Sequence, residues 1–165
     1  MAKITLKGNP FNSIGNLPEV GSQAKDFSLV AADLARVGIN DFKGNKVVLN
    51  IFPSLDTPTC AASVRQFNKV AAEKEGVKVL CISRDLPFAQ ARFCGAEGLD
   101  NVITLSDYEK GSFGKDYGVE IVDGPLANLH SRAVVVLDEQ GKVTYTQQVT
   151  EIVDEPNYNE VLENL

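Results

Sequence analysis

Three near-continuous apolar runs limit what this chain can fold into: Val47-Val48-Leu49-Asn50-Ile51-Phe52, Val77-Lys78-Val79-Leu80-Cys81-Ile82-Ser83 and Ala133-Val134-Val135-Val136-Leu137. A strand with one wet face alternates apolar and polar residues, whereas a strand covered on both faces does not. The runs are short and rich in β-branched residues, so each is predicted as a central strand. Between the first two, Val64, Phe67 and Ala71 share one face at helical spacing and predict a helix from about Pro58 to Lys74. A second helix is predicted near Leu86 to Cys94, stopping at Gly95, and Val102 to Leu105 reads as a shorter strand.

Weaker signals complete the order. Lys3 to Lys7 and Phe11 to Ile14 read as an N-terminal hairpin around Gly8-Asn9-Pro10. Phe27 to Val30, Arg36 to Ile39 and Val119 to Val122 are strand candidates. A short helix is expected over residues 109–117, and another from Asn157 to Leu165. Asp138-Glu139-Gln140-Gly141 turns the third apolar run into Lys142 to Val149. The sum is an α/β fold with a mixed central sheet flanked by helices, one domain over residues 1–165.

Bulk charge narrows the function. The net charge of −6 and the scattered Lys and Arg supply no basic face for nucleic acid or anionic lipid. No apolar run is long enough to span a bilayer, and the alternating N-terminal residues do not resemble a secretory signal, so a cytoplasmic protein is expected. The three cysteines, Cys60, Cys81 and Cys94, cannot all pair within one chain, and none forms C-x-x-C. Three cysteines and one histidine lack zinc-ligand spacing. His130 reads as a solvated loop residue, and Cys81, between Leu80 and Ile82, as inert core. No cofactor or metal is implied.

The informative segment is Pro53-Ser54-Leu55-Asp56-Thr57-Pro58-Thr59-Cys60, between a buried strand and a helix. Thr57 suits an N-cap and Pro58 the first helical position. Cys60 then falls third in the helix, where its sulfur leans back toward unpaired N–H groups and the positive dipole end, which stabilises a thiolate. Asp56 opposes this, so a cation from elsewhere in the fold is needed. Thiolate formation alone does not make a fast nucleophile. For thiols in general, lowering the pKa from about 8.5 to about 6 gains roughly 30-fold in thiolate at neutral pH but forfeits roughly 10-fold in nucleophilicity. Positioned donors must supply the rest. Taken alone, Cys94 reads as a structural cysteine near a helix end, and Arg132 as a strand-end arginine in a surface ion pair.

Pro53, Thr57 and Cys60 reproduce the P-x-x-x-T-x-x-C signature of peroxiredoxins. Asn50 to Pro53, Cys60 to Arg65, Asp85 to Gln90 and Arg92 to Gly98, in that order, resemble the bacterial thiol peroxidase branch over nearly the whole chain. The resemblance implies a thioredoxin-like fold and a thiol-dependent peroxidase. It implies that Pro53 shields the sulfur, Thr57 contacts thiolate and peroxide, and Cys60 attacks the O–O bond of a hydroperoxide. Arg132 becomes the missing cation. Cys94 resolves the Cys60 sulfenic acid as an intrasubunit disulfide, thioredoxin is the reductant, and a homodimer is expected. The rivals are a protein thiol–disulfide oxidoreductase, for which C-x-x-C is missing, a non-enzymatic redox sensor and an inert binding module.

Overall fold

The computed structural model describes residues 1–165. A hairpin of β1 (Lys3–Leu6) and β2 (Asn9–Asn12) precedes a seven-stranded mixed sheet. The sheet contains β3 (Leu29–Ala31), β4 (Arg36–Val37), β5 (Lys46–Ile51), β6 (Val77–Ser83), β7 (Val102–Ser106), β8 (Ala133–Leu137) and β9 (Val143–Gln148). Its spatial order is β4-β3-β7-β6-β5-β8-β9. Strands β5, β6 and β7 are parallel, and β8 runs antiparallel to β5 with Ile51 opposite Ala133. The three apolar runs are therefore the adjacent strands β6, β5 and β8 at the sheet's centre, as their composition requires.

Two apolar layers cover the sheet. One joins Leu49, Ile51, Leu80 and Leu105 to Phe113, Tyr117 and Val119. The other joins Val48, Phe52, Val79, Cys81 and Val134 to Cys60, Val64, Phe67 and Val70 of α1 (Pro58–Glu73). Phe67 is fully buried, and truncating such a side chain to alanine costs about 3–5 kcal/mol. Helix α2 (Pro87–Glu97) follows β6, a short α3 (Ser112–Asp116) follows β7, and α4 (Tyr158–Glu163) closes the chain, capped by Asn157 accepting from the Glu160 N–H. No helix is long and apolar enough to cross a membrane.

Several boundaries differ from the sequence reading, each for a local reason. The hairpin turns at Lys7 and Gly8, both with positive φ, so Asn9 and Pro10 belong to the second strand. Helix α2 continues through Gly95 and ends where Gly98 adopts the left-handed conformation, its N–H bonding to Cys94 O. Cys94 therefore lies in the last helical turn, one turn before the terminating glycine. Ile39–Phe42 forms a 3₁₀ turn where a strand tail was expected. Val119 to Val122 makes only isolated bridges, Ser13 to Ile121 and Glu120 to His130, dividing its pairing between two partners instead of forming a strand.

Candidate active site

The loop leaving β5 and the first turn of α1 build the site. Thr57 is the N-cap with extended backbone, Pro58 opens the helix, and Cys60 is its third residue. The Thr57 hydroxyl donates to Ser54 O at 3.0 Å, and Thr57 O receives the Ala61 N–H at 3.0 Å. The N–H groups of Thr59 and Cys60 have no acceptor within the chain, so the first turn keeps free donors beside the sulfur. Cys60 is fully buried, with Val64 and Phe52 in the same apolar cluster.

The cation is Arg132, which precedes β8 and is only 2% exposed. Its Nη2 donates to Cys60 Sγ at 3.2 Å and its Nε to Ile152 O at 2.9 Å, while Nη1 has no partner. A guanidinium at this distance stabilises negative charge on the sulfur, and the unpaired Nη1 remains available to a second acceptor. Arg132 also lines a cavity of about 180 Å³ shared with Leu6, Pro53, Thr57, Leu126, Leu129 and Ile152. The structure thus gathers Pro53, Thr57, Cys60 and Arg132 at one place. Arg132 is a buried sulfur partner and not the surface ion pair its sequence position alone suggests.

The N-terminal hairpin secures the segment that orients Arg132. Thr5 N–H donates to Thr150 O and Ile152 N–H to Thr5 O, at 2.8 and 2.9 Å. The Glu151 carboxylate accepts from the Thr5 hydroxyl at 2.7 Å, Lys7 N–H at 2.8 Å and Gly8 N–H at 3.0 Å. These donors, the Thr5 hydroxyl foremost, hold its pKa down to about 2. On the other side, the Thr59 hydroxyl donates to Val153 O at 2.8 Å. No periodicity marks these contacts in the sequence, because the atoms that orient Arg132 and Thr59 are backbone carbonyls.

Cys94 packs against the cluster that contains Cys60, but it also lines a separate apolar groove with Ala31, Leu99 and Ile103. All three cysteines are free thiols. Burial first, then Asp100, raises the pKa of Cys94, so its resting form is the thiol. Cys81 is fully buried, and burial pushes its pKa up to about 12, consistent with an inert core residue. His130 corrects the sequence reading. It is fully buried, with Nε2 2.9 Å from Asp107 Oδ2. The Asp107 carboxyl also accepts from Gly114 N–H and lies 3.6 Å from Arg84 Nε, so a buried polar cluster replaces the solvated loop side chain expected there. Position after a loop did not reveal this, because the pairing joins residues far apart in sequence. No group of three or more His, Cys, Asp or Glu side chains is placed to hold a metal ion.

Comparison with known proteins gives one consistent result. The redoxin family model matches residues 19–162. The chain is 55% identical to the thiol peroxidase of Mycobacterium tuberculosis over 162 residues, which cover 98% of this chain and 97% of that protein. Among solved structures, a peroxiredoxin-like protein from Aquifex aeolicus superposes with a TM-score of 0.92 at 41% identity, covering 99% of this chain and 95% of that one. A thiol peroxidase from Chromobacterium violaceum gives 0.91 at 22% identity, over 98% and 93% of the two chains, a likeness of fold.

Proposed function

The chain belongs to the redoxin family as a thiol peroxidase, and from that premise we propose that Cys60 is the attacking sulfur and Cys94 its resolving partner. The observation that carries the Cys60 assignment is the Arg132 Nη2 contact at 3.2 Å to a sulfur in the first turn of α1, while Cys94 is assigned by its likeness to the family. The Cys60 thiolate attacks the terminal oxygen of a hydroperoxide. An S–O bond forms, the O–O bond breaks, and the departing alkoxide or hydroxide takes a proton to leave as alcohol or water. Arg132 Nη1 and the free N–H groups of Thr59 and Cys60 are donors for the two peroxide oxygens, with Thr57 and Pro53 closing the site over them.

Cys94 then displaces the hydroxyl of the Cys60 sulfenic acid as water, giving a disulfide that protects Cys60 from irreversible oxidation. A dithiol reductant, thioredoxin, returns both thiols and leaves oxidised itself. The cavity beside Arg132 bears on the substrate range. Leu6, Leu126, Leu129 and Ile152 give it apolar walls, while the buried sulfur admits only the slim terminal end of a substrate. Hydrogen peroxide and alkyl hydroperoxides are both substrates on this reading. Recycling by a dithiol reductant places the protein in the cytoplasm on this reading, and exposed Leu86 and Phe88 provide apolar surface for a homodimer. Steady-state assays with thioredoxin, its reductase and either peroxide test the assignment. Continued turnover with both is the expected result; a single oxidation without recycling would reduce the protein to a redox sensor.

A further inference from the structure

The mechanism above leaves Asp85 to Gln90 without a task, although this stretch joins the Cys60 loop to the helix that carries Cys94. The Asp85 carboxylate accepts from the Ser54 hydroxyl at 2.7 Å and the Leu55 N–H at 2.8 Å, both in the loop that leads into α1. Its Oδ2 also accepts from the Ser83 hydroxyl at 2.7 Å. The Ser83 oxygen in turn accepts from Gln90 Nε2 at 3.2 Å, and Gln90 Nε2 also donates to Leu105 O at 3.0 Å. Gln90 is fully buried, while its Oε1 has no partner. Only Gln90 and Pro87 are buried in the whole of α2. One donor chain thus runs from α2 through Ser83 to Asp85, where it meets the two donors of the Cys60 loop.

We propose that Asp85, with Ser83 and Gln90, is a positioning latch that holds the Cys60 loop and α2 together and so sets the balance between peroxide reduction and disulfide formation. This rests on the assignment of Cys60 and Cys94 above. The physical reason is that the two steps need opposite things from these elements. Peroxide reduction needs Pro53, Thr57 and the first turn of α1 held in place. Disulfide formation needs the two sulfurs to approach closely, with Cα atoms within about 7 Å, from a resting state in which Cys60 is buried and Cys94 sits in an intact helical turn. Hydrogen bonds to a carboxylate are among the stronger ones in a fold, and chained bonds reinforce one another. A latch fixed at one carboxylate therefore favours the first step and restrains the second.

The test separates the two steps in single turnover. Reduced protein is mixed with cumene hydroperoxide, quenched with acid at intervals, alkylated and analysed by mass spectrometry for free Cys60, Cys60 sulfenic acid and the Cys60–Cys94 disulfide. Asp85→Asn keeps the side-chain size but turns one of the two acceptor oxygens into a donor, Ser54→Ala cuts one loop bond, and Gln90→Leu cuts the α2 end. Asp85→Asn is expected to slow Cys60 oxidation and speed disulfide formation, each by roughly tenfold, the size expected for losing a hydrogen bond to a charged group. Ser54→Ala shifts both rates the same way by less. Gln90→Leu acts mainly on disulfide formation. Sulfinic acid at high peroxide falls in all three. A lesion of stability alone would raise hydrogen exchange throughout the fold, whereas the latch variants are expected to raise it only in α2 and the Cys60 loop. If Asp85→Asn does not fold, Ser54→Ala and Gln90→Leu carry the test. Unchanged rates, or slowing of both steps, would overturn the latch. A wild-type protein that forms no Cys60–Cys94 disulfide would instead overturn the assignment beneath it.

Discussion

Helices α1 and α2 sit against the same apolar cluster, each carrying one cysteine of the proposed redox pair, yet they are anchored differently. Helix α1 buries Cys60, Ala61, Ser63, Val64, Phe67 and Val70, whereas α2 buries only Pro87 and Gln90. The outer tie between them, Arg65 to Glu97 at 2.9 Å, is an exposed ion pair of the kind worth about 0–1 kcal/mol. Cys60 is therefore fixed by full burial, whereas Cys94 is only partly buried, on a helix with few buried side chains that local opening can release. The contrast fits a division of labour in which one sulfur must wait in a defined geometry and the other must travel.

The largest effects break the contrast at its sulfurs. Cys60→Ser is expected to abolish peroxidase turnover. Cys94→Ser is expected to keep the first oxidation, accumulate sulfenic and then sulfinic acid at Cys60, and stop thioredoxin-driven recycling; turnover assays and mass spectrometry read both. Next comes the cation. Lysine retains charge but not the planar fork that reaches Cys60 Sγ and Ile152 O together, so Arg132→Lys is expected to slow Cys60 oxidation roughly 10- to 100-fold. A change under twofold would show that this geometry is dispensable.

Hydrogen exchange sharpens the comparison without mutation. Amides in the last two turns of α2 are expected to exchange faster than those of α1 around Val64 to Val70, and equal protection would remove the basis for a mobile Cys94. Cys94 alkylation adds a pH axis. Its raised pKa means that the reaction in folded protein rises with pH and reaches its midpoint above the ordinary thiol value of about 8.5.

How far these two regions were legible in the sequence follows from how each is held. The central strands and α1 announce themselves through apolar composition and spacing, and Thr57-Pro58 locates the first turn of α1. Arg132 and Cys94 gained roles only from resemblance to a family, since neither has a local pattern that aims its side chain. Gly95 does not end α2, because a glycine inside a helix costs only about 1 kcal/mol and the stop comes with the left-handed geometry at Gly98. The Asp85 chain, the Glu151 clamp and the Asp107–His130 pair were not legible. Each joins polar atoms across loops, and several partners are backbone groups that every residue carries.

The smallest effect concerns the support behind Arg132. Glu151 has a folded pKa of about 2, below its unfolded value of about 4.3, so its stabilisation is present above the higher value and is lost as pH falls through the lower. Exchange at the Lys7 and Gly8 amides is therefore expected to lose protection between about pH 4.3 and about 2, beyond the intrinsic pH dependence of exchange. Glu151→Gln should show weaker protection already at neutral pH. Protection independent of both changes would mean that the hairpin needs no clamp.

The most direct test of the account mixes the reduced protein with one equivalent of hydroperoxide, counts free thiols and maps disulfides by mass spectrometry. Rapid loss of two thiols with a Cys60–Cys94 linkage and an intact Cys81 is the predicted result. Survival of all three thiols, or a linkage through Cys81, would contradict it.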